Sequence, residues 1–314
     1  MTVINGHINQ ALTNFSVGIV KNPPGKLIAT TVAPVVNVAN QSDSYFIWDA
    51  AALRIPSTVH APRSLVSRIV RTESDDTYLC KEFAVEDQIP WARLANANAV
   101  IREEQRSTAV LVNELLLRRE KAVADVLFGP LFTHTAALAA ADRWDIDTSF
   151  PCAKVNDAME TIRALIGVEP NAVVMGAHVW AHLRQHPDIT QKIVGMVGGQ
   201  PATEAQAATA LGVDRIIVGR AMYVSSAEGI TPLVKADIWG KFASVCYIDP
   251  AASSDIEGLI TPMSSFVWSG VAAPFSTFTY EEEQSRSHVV QAYDCVDAKA
   301  ISVDSAYLYS TVVS

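Results

Sequence analysis

A chain of 314 residues has room for one large domain or two modest ones with a substantial core, so it needs neither disulfides nor a structural metal to fold. Its 33 acidic against 24 basic residues give a formal charge of −9, which works against wrapping nucleic acid with a cationic face. With 49 % hydrophobic and only 18 % charged residues, part of its surface is expected to be covered by further copies of itself.

The N-terminus, "MTVINGHINQALTNF", lacks a basic segment followed by an apolar one, and no apolar run approaches the roughly 18 residues of a membrane span. Synthesis in the cytoplasm, with no membrane partner, is the expectation. Residues 1–91 contain Pro23, Pro24, Pro34, Pro56, Pro62 and Pro90, and helical periodicity is hard to sustain between them, so this region is expected to be extended. Within it "IATTVAPVVNV" (28–38) and "SYFIWD" (44–49) read as strands. "DDTYLCKEFAVE" (75–86) reads as another, with alternating faces.

The stretch between the last two carries Arg54, Arg63, Arg68 and Arg71 and no lysine. An arm followed by a long two-stranded excursion is implied. An isolated ribbon of two strands is marginal in water, so it must lie on another surface; the alternative is a β-domain that folds by itself. The arginines suit ion pairs across a subunit interface better than nucleic acid, because no interleaved aromatics are present to stack bases.

After Pro90 the pattern changes. "ANANAVIREEQRSTAVLVNELLLRREKAVADVLFG" (95–129) is one long helical pattern, with Val112, Leu115, Leu116 and Leu127 at helical spacing and Gly129-Pro130 as its stop. Short helices and strands then alternate to about residue 260. Pro151 opens a helix whose stripe is Val155, Met159, Ile162, Leu165 and Ile166, closed by Gly167. "GVEPNAVVMG" and "GVDRIIVG" echo each other as two strands of one sheet, and the glycine-rich stretch 194–206 between them reads as a loop. From residue 264 the chain returns to strands, among them one bearing Glu281, Glu282 and Glu283. Three successive acids alternate faces on a strand and mark a solvated edge or a contact with a neighbour's arginines.

The search for chemistry yields little. His178, His182 and His186 recur every four residues but span about 12 Å along a helix, too far for one ion. A neighbouring pair could chelate, yet Val179 and Leu183 stand where a zincin motif needs Glu, and Pro187 takes His186 out of helical geometry. The expected reading is an amphipathic helix buried through Val179, Trp180 and Leu183, with the histidines on its flank. No nucleophile elbow, P-loop or dinucleotide fingerprint is present. Neither catalytic nor cofactor-binding nor metal-binding residues are assigned. Cys80, Cys152, Cys246 and Cys295 have no paired spacing and read as buried thiols of a reducing compartment.

Arm, ribbon, long helix, α/β middle and closing strands follow in an order that resembles the major capsid proteins of tailed bacteriophages, which share the HK-ninety-seven fold. The resemblance is carried by "NFSVGIVKNPPGKLIATTVAPVVNVANQSDSYFIWD", "DDTYLCKEFAVEDQIPWARLANANA" and "ELLLRREKAVADVLF", and by "NAVVMGAHVWAHLRQHPDI" and "LGVDRIIVGRAMYV". It implies an α+β capsid fold with an N-arm (1–43), an E-loop (44–88), a P-domain (89–164) with spine helix 95–128, an A-domain (165–262), and C-terminal strands (263–314) returning to the P-domain. It also implies self-assembly into hexamers and pentamers, an icosahedral head enclosing double-stranded DNA without sequence-specific binding, and residence in the virion.

Phe46, Ile47 and Trp48 would then bury against a neighbour's spine, and the four arginines would meet acids such as Glu281–Glu283. Because the chain begins at the arm, scaffolding is expected from a separate protein, beside a portal and any decoration protein. The E-loop has no lysine before Lys81, so a noncovalent shell is expected. The alternatives are an encapsulin-like nanocompartment shell and a metalloprotein using His178 and His182.

Overall fold

Two sheets share one long helix between them. The computed structural model describes residues 7–21, 27–47, 74–96, 100–193, 200–227, 229–249 and 260–314, together with 53, 55, 58, 59 and 66.

The first sheet has five strands in the order β6 (Thr135–Ala137), β15 (Ala306–Ser310), β11 (Ala243–Cys246), β7 (Ala172–Gly176) and β8 (Arg215–Gly219). β7 is wholly buried, as an unbroken apolar run between two covered faces should be. The echo in the sequence has a geometric cause: β7 and β8 are parallel neighbours and end side by side, Gly176 opposite Gly219. Both glycines are required by close approach. A Cβ on Gly176 would stand 2.0 Å from the Gly240 carbonyl oxygen, and one on Gly219 would stand 2.2 Å from the Trp239 ring.

One face of this sheet is covered by α5 (Pro151–Ile166), α6 (Ala177–Leu183), α7 (Pro187–Lys192) and α8 (Glu204–Leu211). Their boundaries follow from local chemistry. Pro151 stands in the first turn of α5, Gly167 closes it at φ 73°, and Thr203 with Gln206 forms a reciprocal capping box on α8.

The second sheet is built on β14 (Ser287–Ala300). Its first half pairs with β13 (Ser276–Glu282), its second half with β12 (Met263–Trp268), and residues 287–296 with β5 (Lys81–Pro90), all antiparallel. β1 (His7–Ile8) adds to β13, and β2 (Val35–Val38) runs parallel to β12. A small hairpin, β9 (Met222–Val224) with β10 (Lys235–Asp237), stands apart.

α4 (Val100–Leu127), about 42 Å long at 1.5 Å per residue, joins the two sheets. Leu111, Val112, Leu115 and Leu116 pack with Ile89, Phe275, Val290 and Ala292 of the second sheet. Val123, Ala124 and Leu127 pack with Val174, Ile217, Trp239 and Cys246 on the far face of the first.

Three adjacent charged residues fix the rotation of α4. The Arg118 guanidinium lies over the Phe83 ring of β5. Arg119 Nη2 donates to both carboxylate oxygens of Asp294 on β14, each at 2.8 Å, with both side chains nearly inaccessible to water. Glu120 accepts from the backbone N–H groups of Ile28 and Ala29 at 2.8–3.1 Å and from Trp239 Nε1 at 2.7 Å. It thereby caps α2 (Ala29–Val32). Burial pushes the Glu120 carboxyl above its ordinary pKa, opposed by these donors.

The structure corrects several expectations. Residues 10–21 form α1 (Gln10–Lys21), a helix packed against α4 and β13, within the region expected to be extended; every proline of that region lies beyond its C-terminal end, Pro23 being the first. Residues 28–38 are not one strand, because Ala29–Val32 take a helical turn over the Glu120 carboxylate before β2 begins. The strand expected over 75–86 is two, β4 (Ser74–Leu79) and β5, separated by Cys80, whose N–H donates to the Gln41 carbonyl.

The ribbon therefore ends at Leu79, and β5 belongs to the second sheet. The helix expected from residue 95 begins as a separate turn, α3 (Trp91–Asn96), before α4. α5, expected with the long helix, packs on the five-stranded sheet, and the last strand, β15, joins that sheet rather than returning with β12–β14. The core demands this: Val155, Ile162 and Ile166 complete the face opened by Val173 and Met175.

Replacing one member of the buried pair leaves the other charge unpaired, so Arg119→Leu or Asp294→Asn should each lower stability by about 3–5 kcal/mol, and the double apolar replacement by less than the sum. Glu120→Gln should cost about 1–3 kcal/mol, since an amide turns a donor onto another donor. Urea unfolding followed by fluorescence measures all four.

Candidate assembly interface

The ribbon is β3 (Ser42–Ile47) paired antiparallel with β4, Ser42 opposite Leu79 and Ile47 opposite Ser74. Alternation puts Ser44, Asp75 and Thr77 on one exposed face and turns Tyr45 and Tyr78 inward on the other. The base of the ribbon is fastened to its own body. The Tyr45 hydroxyl donates to the Ala300 carbonyl at 2.9 Å and to Asp76 at 3.1 Å, and Tyr78 stacks on Phe266 with ring centroids 4.6 Å apart. Burial pushes the Tyr45 phenol well above its usual pKa, with the Asp76 charge adding to the shift. The Leu79 N–H donates to Asp297 at 3.0 Å.

Beyond this clamp the apolar side chains lose their cover: Ile55 is 91 % exposed, Val59 90 % and Val66 71 %. Of the residues expected at an interface, Ile47 instead packs partly into the ribbon's own core beside Tyr45, Tyr78 and Phe266. Phe46 lies in β3 opposite Asp75, and its side chain lies outside the described residues. Trp48, Arg54, Arg63, Arg68 and Arg71 also lie outside them.

The three glutamates are not equivalent. Glu281 accepts from Trp91 Nε1 and contacts His288 Nδ1, each at 2.7 Å. Burial would raise its pKa, but these contacts hold it below the ordinary value. Glu282 accepts from Gln88 at 3.1 Å and from Ser285. Glu281 and Glu282 thus have partners in their own chain, while Glu283 is exposed at the end of the strand. Sequence reasoning missed a second acidic strip, Glu82, Glu86 and Asp87 on β5. Its signal was "KEFAVEDQ", masked by assigning that stretch to the ribbon.

The histidines divide as their exposure dictates. His178 and His182 lie exposed on α6 with ring centroids 5.2 Å apart, while Val179, Trp180 and Leu183 are buried. Among the described residues no group of three or more His, Cys, Asp or Glu could hold a metal. His186 is buried at the N-cap of α7, where Nδ1 accepts from the Asp188 N–H at 3.1 Å.

Its Nε2 lies 3.0 Å from the Ile146 carbonyl and 3.1 Å from Ser149 Oγ. This resembles a nucleophile beside a base, but the tautomer forbids the role. Nδ1 must be the bare nitrogen, so Nε2 carries the hydrogen and has no lone pair for the serine proton. The contact is structural.

All four cysteines are free and buried. Burial pushes the thiols of Cys80 and Cys246 up to about 12 and that of Cys152 to about 11, and raises that of Cys295. No helix among the described residues is long and apolar enough to cross a membrane.

Comparison with known proteins bears on this geometry. The family model described as phage major capsid protein E matches residues 83–227. The major capsid protein of Pseudomonas phage JBD67 is 27 % identical over 236 residues, 73 % of this chain and 74 % of that protein. That of Burkholderia phage BcepMu is 24 % identical over 310 residues, 97 % of this chain and 96 % of the other. Among solved structures, a phage-related protein from Bordetella bronchiseptica superposes with TM-score 0.78 at 19 % identity, over 98 % of both chains. The capsid structure of Cyanophage P-SCSP1u superposes with TM-score 0.58 at 10 % identity, over 88 % of this chain and 86 % of that one. These matches lend no support to the nanocompartment or metalloprotein alternatives.

Two outcomes follow from the burial pattern. An aromatic disulfide reagent at pH 8 should label fewer than one thiol per folded chain within minutes and four after denaturation. His186→Ala should lower stability by about 1–3 kcal/mol through its lost buried hydrogen bonds, whereas His178→Ala and His182→Ala should stay within about 0.5 kcal/mol in the same thermal melt.

Proposed function

We propose that this chain, a phage major capsid protein with the HK-ninety-seven-type fold located in the virion, closes through hexamers and pentamers into a noncovalent icosahedral head around double-stranded DNA. The observation that carries the reading is the ribbon. It leaves a well-packed body, and among the described residues beyond its base Ile55, Val59 and Val66 stand 71–91 % exposed. Only an adjacent molecule can bury them, and a contact repeated in every subunit closes into symmetric rings. At about 25 cal/mol per Å² of apolar area, each contact is individually modest, which lets misplaced subunits dissociate and rebind during assembly.

In this reading β3, β4 and the residues between them form the E-loop, α4 is the spine of the P-domain, and the five-stranded sheet with α5–α8 lies in the A-domain. The arm carries α1 and β2. Scaffolding, portal and decoration functions belong to separate proteins. A net charge of −9 suits a container whose genome must later leave, since a surface that does not bind phosphate does not retain DNA. The buried Ser149–His186 contact, in the wrong tautomer for catalysis, does not compete with a role in the shell.

Negative-stain electron microscopy of the purified full chain should reveal closed shells or capsomer rings, on addition of a scaffolding partner if not before. A denaturing gel of the particles should show monomers alone. Small discrete particles under every condition would overturn the shell reading, and a ladder of covalent multimers would overturn its noncovalent form.

A further inference from the structure

His288 is held between two carboxylates. It lies on β14 opposite Glu281 of β13 on one side and Ile89 of β5 on the other, so its ring stands on the sheet face that packs against α4. Nδ1 is 2.7 Å from Glu281, and Nε2 is 3.1 Å from Glu104 in the second turn of α4. Only 14 % of the His288 side chain and 17 % of that of Glu104 reach solvent.

A carboxylate only accepts, so both ring nitrogens must present a hydrogen if both contacts are to be attractive. A neutral imidazole has one N–H. Losing a proton therefore turns a lone pair toward one of the two acids. Nδ1 has the shorter, aligned contact and keeps its hydrogen. Nε2 makes an ion pair rather than an aligned hydrogen bond and is closed to water, so solvent cannot replace a hydrogen lost there.

The surroundings favour the cation. Around His288, α4 contributes Glu103 and Glu104, β13 Glu281, β5 Asp87 and α3 Arg93. Arg93 is paired with Glu103 at 2.7 Å, and Asp87 accepts from the Ser107 hydroxyl at 2.7 Å. Arg286, in the turn before β14, is exposed. Trp91 Nε1, a neutral donor, also bonds Glu281. Among the described residues neither Glu104 nor Glu281 pairs with another cation.

This contact holds the part of α4 with least apolar support. Leu111, Val112, Leu115 and Leu116 anchor the middle of the helix in the core. Ahead of them its described side-chain ties to the sheet are polar: Ser107 to Asp87 and Glu104 to His288. The geometry points to His288 as a proton-operated latch: doubly protonated it holds the first turns of α4 to the β13–β14 pair, and on losing one proton it lets them open. The latch is closed in mild acid and loosens as pH rises through the range in which histidine gives up its charge.

Hydrogen exchange of the full chain at about pH 6 and about pH 8, corrected for intrinsic rates and compared within one assembly state, tests this. Protection of the amides of residues 104–108 should fall about tenfold between the two, while that of residues 111–116 stays within about twofold. His288→Gln should bring 104–108 to the low level at both pH values. Glu104→Gln should keep the high level at both, because its amide can donate to a bare Nε2 or accept from a protonated one.

Equal protection of 104–108 at both pH values in the wild type would overturn the inference, and so would a pH dependence that survives in Glu104→Gln. A uniform loss across 104–116 would place the change in the whole helix and overturn it as well. If His288→Gln does not fold, the wild type and Glu104→Gln decide.

Discussion

Charge cannot stay unpaired in a protein interior, and in this chain that rule sets the position of the long helix. Arg118, Arg119 and Glu120 are consecutive, so the helix turns them about 100° apart and each must find its partner on a different element. Arg118 finds an aromatic ring on β5, Arg119 a carboxylate on β14, and Glu120 the start of α2 together with Trp239. Hydrophobic contact alone would let α4 slide or roll along the sheet with small loss. The three partners together admit one rotation and one height, which fixes the two sheets relative to each other and with them the ground on which the ribbon stands.

From that ground the molecule divides into parts with different sources of stability. The first sheet and its helices are covered on both faces, and the second is anchored by α4 and α1. The ribbon draws on both kinds of support. Its base shares Tyr45, Tyr78 and Phe266 with the body, while Ile55 and Val59 beyond it stay almost fully in water. Such a chain folds as one molecule and completes its burial as many.

Much of this was legible in the sequence where periodicity was long and unambiguous. Val112, Leu115 and Leu116 marked α4, and Val155, Ile162 and Ile166 marked α5 together with its glycine stop. The tautomer of His186 could not be read, because it depends on Asp188 folding back to donate an N–H. The α1 helix was hidden by prolines that all come after it, from Pro23 onward.

The division of 75–86 into β4 and β5 left no breaker in the sequence. The chain changes sheets at Cys80, a buried apolar position whose role is set by a partner 39 residues earlier, Gln41. For the same reason Ile47 looked like an interface residue: a hydrophobic side chain next to a turn reads alike whether its cover is its own core or a neighbour's. The partners of Glu281 could not be read either: Trp91 is 190 residues away and meets it only across the sheet, and His288 faces it from the next strand.

The two tyrosines at the base of the ribbon also have a mechanical meaning. Whatever path residues 48–73 follow, their departure angle is set by Tyr45 on Ala300 and Tyr78 on Phe266, which makes that pair the fulcrum of a lever. Any tilt at that fulcrum is multiplied by the length of chain carried beyond it. One sequence can then meet neighbours on surfaces of different curvature by rocking on two aromatic rings and one hydroxyl, while the body behind them stays as it is.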